Sequence, residues 1–173
     1  MPPVIRPVIS RDQIQSRLRE LAAQINKDYA GQELIIIGIL KGVFIFLADL
    51  VRLLDMPVRI DFVRLRSYGN STTSSGCVEI TMDVELLLEN QHVLVVEDII
   101  DSGLTLEYLL QHLQKRGPKS LKTCCLTDKL ERRAISVPLD YVGFVVPKGF
   151  LVGYGLDYAE AHRQYPDICE LEL

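Results

Sequence analysis

A chain of 173 residues can bury a core of its own, and 48% apolar with 24% charged residues is the balance of a globular protein, not a disordered or fibrous one. A net charge of −4 argues against broad nucleic-acid binding through a basic face. No apolar run is long enough to span a bilayer, and the N-terminus shows no secretory pattern, so a reducing, cytoplasmic setting is expected. The four cysteines, Cys77, Cys124, Cys125 and Cys169, lack zinc spacing and read as free thiols, buried for the most part. His92, His112 and His162 also lack metal spacing.

Residues 1–9 carry three prolines and predict an extended arm. Ser10 and Gln13 have the spacing of a capping box. Behind them Ile14, Leu18, Leu21, Ala22 and Ile25 form a helical stripe that ends before Gly31. Residues 34–40, LIIIGIL, predict a strand buried on both faces, with Lys41 and Gly42 at its carboxyl end. A helix follows, with Phe44, Leu47, Ala48, Val51 and Leu54 as its apolar face. After Pro57, Val58, Ile60 and Phe62 alternate with Arg59 and Asp61, the period of a half-buried strand. Residues 67–76, SYGNSTTSSG, are small and polar and cannot pack a core. They are either a loose hairpin connection or a lid that excludes water from a site. Strand character resumes at CVEITMD.

The centre of the chain is VLVVEDIIDSGLT, residues 93–105. Val93–Val96 predict a buried parallel strand. A polar loop is expected from Glu97 onward, and Leu106, Leu109, Leu110 and Leu113 then share a helical face. In open α/β sheets, ligands bind outside the carboxyl ends of the strands. Backbone N–H groups at a helix start, with Gly103 and the Ser102 and Thr105 hydroxyls, suit a phosphate. The Walker lysine pattern is absent. The acids Glu97, Asp98 and Asp101 would repel a phosphate unless they face sugar hydroxyls or a divalent cation, and a phosphorylated ribose with Mg²⁺ meets both needs. The plain alternative is an acidic helix cap made by Asp101 or Ser102. Beyond Gly117-Pro118, residues 121–127 and 139–146 predict two further strands. Lys129 follows the first within a charged run that would more often be solvated.

VVEDIIDSGLTL resembles the phosphoribosyl-pyrophosphate (PRPP) motif of the type I phosphoribosyltransferases, in the form of their hypoxanthine-guanine branch. The resemblance runs from about residue 8 to the C-terminus. It implies one α/β domain over 1–173: a mostly parallel twisted sheet flanked by helices, with a small hood from 147–173 and the N-terminal arm. In that family the positions matching Glu97, Asp98, Ile100, Asp101, Ser102, Gly103, Leu104 and Thr105 hold the ribose and its phosphate. ILKGVFIFLADL resembles the pyrophosphate loop. This implies pyrophosphate contacts at Leu40, Lys41 and Gly42, with a cis peptide between the first two. Ser67 and Tyr68 match the start of the family's mobile loop, and Arg163 a further pyrophosphate contact. Lys129 matches the lysine at the exocyclic oxygen of the purine, where a cation favours an oxo over an amino group. Phe150 matches the stacking aromatic, Leu151 and Asp157 match further positions of the purine side, and Glu97, Asp98 and Asp157 match metal positions.

The implied activity is Mg²⁺-dependent purine salvage, in which PRPP and hypoxanthine or guanine give the nucleoside monophosphate and pyrophosphate. Asp101 is the implied catalytic base, and self-association to a dimer or tetramer is implied as well. Lys148-Gly149 departs from the family, which commonly has an acid and then a base before the phenylalanine. That departure keeps a xanthine-preferring enzyme of the same fold in view. A PRPP-sensing regulator that binds nucleic acid is the other alternative, and the acidic balance counts against it. No nucleic-acid or membrane partner is expected.

Overall fold

The computed structural model describes residues 4–68 and 77–172. Its elements are β1 (Val4–Ile9), α1 (Arg11–Asp28), β2 (Leu34–Leu40), α2 (Phe44–Val51), β3 (Val58–Tyr68), β4 (Cys77–Met82), β5 (His92–Ile100), α3 (Leu104–Gln114), β6 (Ser120–Lys129), β7 (Tyr141–Val146), β8 (Leu151–Val152) and β9 (Ile168–Glu172). Six strands form a sheet in the order β4-β3-β2-β5-β6-β7. All its pairings are parallel except that of β4 with β3, so the expected mostly parallel α/β sheet is present.

Strand alternation explains why the central segments read as unbroken apolar runs. Ile35, Ile37, Val93, Val95 and Cys125 face one side and pack with Leu106, Leu109 and Leu113 of α3. Their neighbours Ile36, Leu94, Val96, Cys124 and Leu126 face the other side, against α1 and α2. Both faces of a parallel sheet are covered by helices, so both residue sets must be apolar.

α1 begins with the predicted capping box: the Gln13 amide N–H donates to Ser10 Oγ at 3.3 Å, and the Ser10 amide N–H to Gln13 Oε1 at 2.8 Å. Its buried stripe is Ile14, Leu18, Leu21, Ala22 and Ile25, as the spacing predicts. α2 differs from expectation. It stops at Val51 and buries Phe46, Leu47 and Leu50, while Phe44 is exposed. Every residue of this segment but Asp49 is apolar, so periodicity could not choose among faces, and the sheet chose instead.

A second, three-stranded antiparallel sheet has the order β1-β9-β8. The arm β1 pairs with β9 from Val4↔Glu172 to Ile9↔Ile168. This sheet reaches the carboxyl end of β2 through one close approach. A Cβ on Gly155 (φ +102°) would stand 2.0 Å from the Gly42 carbonyl oxygen, and one on Gly42 would stand 1.7 Å from Asp98 Oδ2. Only glycine lets the two segments and the carboxylate pack together there. Among the described residues no helix is long and apolar enough to cross a membrane.

Candidate active site

β2 returns through α2 to β3, and β5 passes through α3 to β6 on its other side. The two connections diverge, leaving a crevice at the carboxyl ends of β2 and β5 where ligands settle in such sheets. Two adjoining cavities open there. The larger, about 400 Å³, is lined by Leu40, Lys41, Gly42, Asp98, Asp101, Lys129, Phe150, Leu151, Asp157 and Arg163. The smaller, about 160 Å³, is lined by Glu97, Ile100, Asp101, Ser102, Gly103 and Thr105. Asp101 borders both.

The strand reaches further than its apolar run. β5 continues through Ile100, so Glu97 and Asp98 belong to the strand and not to the loop the sequence suggested. Successive strand residues point to opposite faces, and these two carboxylates accordingly line different cavities. Each also turns toward its own backbone: the Asp98 amide donates to Glu97 Oε1 at 3.2 Å, and the Ile99 amide to Asp98 Oδ1 at 2.8 Å. Burial, with the adjacent Asp98 charge, pushes the Glu97 carboxyl well above its usual range. Burial also raises Asp98, against the pull of its hydrogen bonds.

The small cavity is closed by the start of α3. Gly103 stands at the N-cap in the left-handed region (φ +88°), and Ser102 Oγ, one residue before it, accepts the Leu104 amide at 3.3 Å, so Ser102 and not Asp101 serves the helix start. The Ser102 carbonyl accepts from the amides of Ala134 at 2.9 Å and Ile135 at 3.3 Å. Ser67 Oγ lies 3.5 Å from Thr105 Oγ1, bringing the end of β3 to this cradle. Leu104 is partly exposed and lines neither cavity by its side chain. Tyr68 ends β3 by its backbone. Its side chain, like the rest of the expected lid at 69–76 and the Cys77 side chain, lies outside the described residues.

Lys129 is 6% exposed, so the solvated alternative fails for it. Its ammonium sits 3.7 Å from Asp101 Oδ2 and 3.7 Å from Glu131 Oε2. Asp101 Oδ1 is buried without a hydrogen-bond partner. Such an orphaned acceptor is costly unless a ligand or water serves it. Phe150 is 37% exposed in the large cavity and meets Tyr158 edge-on at 5.4 Å. Leu151 is buried in β8. Across the cavity the Leu40–Lys41 peptide is cis, as the resemblance implied. Lys41 Nζ donates to Glu160 Oε1 at 3.0 Å. Arg163 donates to the Gly155 carbonyl at 2.8 Å and pairs with Asp157 Oδ1 at 3.0 Å and Glu160 Oε2 at 3.2 Å.

Three residues with evident parts in this geometry escaped the sequence reading. Arg133 donates to the carbonyls of Asp101 (3.0 Å), Ile100 (3.3 Å) and Lys129 (3.3 Å), and pairs with Asp128. It clasps the β5–α3 loop to β6. Glu131 joins Lys129 to the hood segment by accepting the Gly149 amide at 3.3 Å. Glu160 joins the two cations. All three sit in charged or turn-forming stretches, where sequence cannot separate a clasp from a solvated side chain. At the departure from the family pattern, a Cβ on Gly149 (φ +114°) would stand 2.5 Å from Glu170 Oε1.

The remaining polar candidates fall away from this site. Cys124, Cys125 and Cys169 are free and buried. Burial pushes the Cys125 thiol up to about 12. His92 bonds Ser120, His112 pairs with Asp83, and His162 lies beside Tyr165. Among the described residues no group of three or more His, Cys, Asp or Glu side chains is placed to hold a metal by itself.

Known proteins resemble this chain in sequence and fold. The sequence model of the phosphoribosyl transferase domain matches residues 10–159. The hypoxanthine-guanine phosphoribosyltransferase of Aquifex aeolicus is 43% identical over 169 residues, covering 97% of this chain and 95% of its own. The bifunctional protein TilS/HprT of Listeria innocua is 45% identical over 161 residues, which are 93% of this chain and 25% of that protein. A hypoxanthine-guanine phosphoribosyltransferase from Bacillus anthracis, solved with a HEPES molecule in its active site, superposes with a TM-score of 0.90 at 46% identity, over 95% of this chain and 96% of that one. Matched by the domain model over most of its length, and by a relative 43% identical across nearly the whole of both chains, the chain belongs to the hypoxanthine-guanine phosphoribosyltransferase family, on the type I phosphoribosyltransferase fold.

Proposed function

We propose that this protein salvages purines by moving the phosphoribosyl group of PRPP to hypoxanthine and guanine, giving IMP and GMP and releasing pyrophosphate. The observation that carries this reading is Asp101. It has one buried oxygen without a partner, stands between a phosphate-sized and a base-sized cavity, and lies 3.7 Å from a buried lysine. An acceptor so placed can take the imidazole proton of a purine whose other edge meets a cation.

The residues divide the work by position. The five-prime phosphate rests on the backbone N–H groups at the start of α3, from Ser102 to Thr105. The ribose lies against Glu97, Asp98 and Ile100. The base stacks on Phe150 beside Leu151, with its exocyclic oxygen at Lys129. Pyrophosphate lies between Leu40-Lys41-Gly42 and Arg163, with Ser67 and Tyr68 closing over it. As the bond from ribose C1 to the pyrophosphate oxygen breaks, the base nitrogen bonds to C1, and the base's proton passes to Asp101.

Asp98 and Asp157 line the same cavity. Mg²⁺ commonly takes one or two protein carboxylates and fills its shell with water and phosphate oxygens, so the donor set fits this ion. When bound, Mg²⁺ neutralises charge on the leaving pyrophosphate. Glu97 would act from the neighbouring cavity, through the ribose hydroxyls. In this reading the chain is one domain with the three-stranded sheet as its hood, acts in the cytoplasm, and self-associates to a dimer or tetramer.

The test is pyrophosphate release from PRPP with hypoxanthine, guanine, xanthine or adenine, each with Mg²⁺ and with EDTA. Metal-dependent release with hypoxanthine or guanine is expected. Release with xanthine alone would replace this substrate assignment and point to the Lys148-Gly149 segment.

A further inference from the structure

On the reading above, Lys41 and Arg163 receive pyrophosphate, and the following rests on that reading. The two cations already share one carboxylate. Glu160 gives Oε1 to Lys41 at 3.0 Å and Oε2 to Arg163 at 3.2 Å. One oxygen per cation is also how a phosphate group would span them. The Glu160 side chain is 66% exposed, so no packing demand puts it there. Its backbone is held in an unusual way. Glu160 has φ +65°, Ala159 +50° and His162 +78°, all left-handed without being glycine. The turn is pinned by the Tyr158↔Ala161 bridge and by the Glu160 amide donating to Asp157 Oδ2 at 2.9 Å. Left-handed non-glycine residues gathered in one turn store strain, and such strain gathers at functional sites.

We infer that Glu160 sets the affinity of the pyrophosphate site, as a built-in anion that lies between Lys41 and Arg163 and is exchanged for pyrophosphate or the PRPP diphosphate at each binding event. Exposed ion pairs are weak, so a multiply charged ligand displaces it readily. On release it returns to both cations, beside the Asp157 partner that Arg163 keeps throughout. A site occupied by its own anion most of the time binds the incoming one more weakly by the fraction left open. Weak binding suits a product that must depart before the next turnover, a step that limits many enzymes.

The test is direct binding of inorganic pyrophosphate with Mg²⁺ by calorimetry, on the full chain and its Glu160→Gln, Glu160→Gly and Glu160→Asp variants, alongside turnover. Glycine keeps the left-handed turn without strain, and aspartate keeps the charge on a stem too short to reach both cations. We expect the Gln and Gly variants to bind pyrophosphate roughly tenfold more tightly if Glu160 engages the cations about nine-tenths of the time. KM for PRPP should fall, KM for the base should hold, and the gain should shrink at high salt. The Asp variant should lie between. Equal or weaker pyrophosphate binding in Glu160→Gln would overturn the inference. So would an Asp variant matching the wild type while Gln tightens, because that effect would be one of net charge alone. A wild-type protein that neither binds pyrophosphate nor turns over PRPP with any base would instead overturn the proposed reaction.

Discussion

At the scale of single residues, the proposed function assigns proton transfer to Asp101 and base recognition to Lys129. Asp101→Asn keeps the shape of the side chain but removes its basicity. It should lower kcat by about 10²-fold or more and leave KM for PRPP nearly unchanged, as steady-state kinetics would show. Equal losses in both parameters would make Asp101 a binding residue. Lys129→Gln should narrow the ratio of kcat/KM between hypoxanthine and adenine, because a neutral amide can serve either an oxo or an amino group. An unchanged ratio would remove Lys129 from the choice of base. The sequence showed these two residues unequally. Asp101 stands in a loop whose acids already asked for a ligand. Lys129 lies in a charged run and is fixed as buried only by Asp101 and Glu131 on either side.

At the scale of elements, the site depends on how the two sheets and the β5–α3 loop are joined. The Gly42–Gly155 approach allows no side chain, and Gly155 is left-handed as well. Gly155→Ala should cost about 2 kcal/mol or more. For a chain of this size that is a fall in Tm of about 4–8 °C. A Tm equal to the wild type would mean that the joint gives way easily. The Arg133 clasp is the second joint. A lysine cannot reproduce its planar fork, so Arg133→Lys should raise KM for PRPP and for the base together. Much of this level was legible. The α1 cap and the α1 and α3 stripes were readable because polar residues frame them. α2 misled because its run is apolar almost all round, and Glu97 and Asp98 misled because a strand can end in polar residues when those residues line a cavity.

At the scale of the whole molecule, the buried acids set activity against stability. Glu97 and Asp98 both have carboxyls raised by burial. A carboxyl raised in the folded state stabilises below its unfolded pKa, and this contribution is lost as pH rises through the folded value. At neutral pH these raised carboxyls therefore weaken the fold. Glu97→Gln removes one charge and keeps the shape. Its Tm should exceed the wild type by a few degrees near pH 7–8, the gap should close as pH falls, and turnover should drop. A gap that widens on acidification would contradict the burial argument. Proteins commonly accept such a loss of stability where a site needs charge.

The parallel sheet and its covered faces were readable from the unbroken apolar runs of β2 and β5. The pairing of β1 with β9 was not, because nothing in either segment names a partner from the opposite end of the chain. That pairing has a consequence for synthesis. β1 is made before the other described strands and can find its antiparallel neighbour only after residues 168–172 have followed. The strands and helix that line the smaller cavity are all made before Phe150, Asp157 and Arg163 appear. On the proposed reading, a nascent chain thus acquires its sugar-phosphate seat well before the hood over the base, and among the described strands the last to emerge is the one that fastens the first.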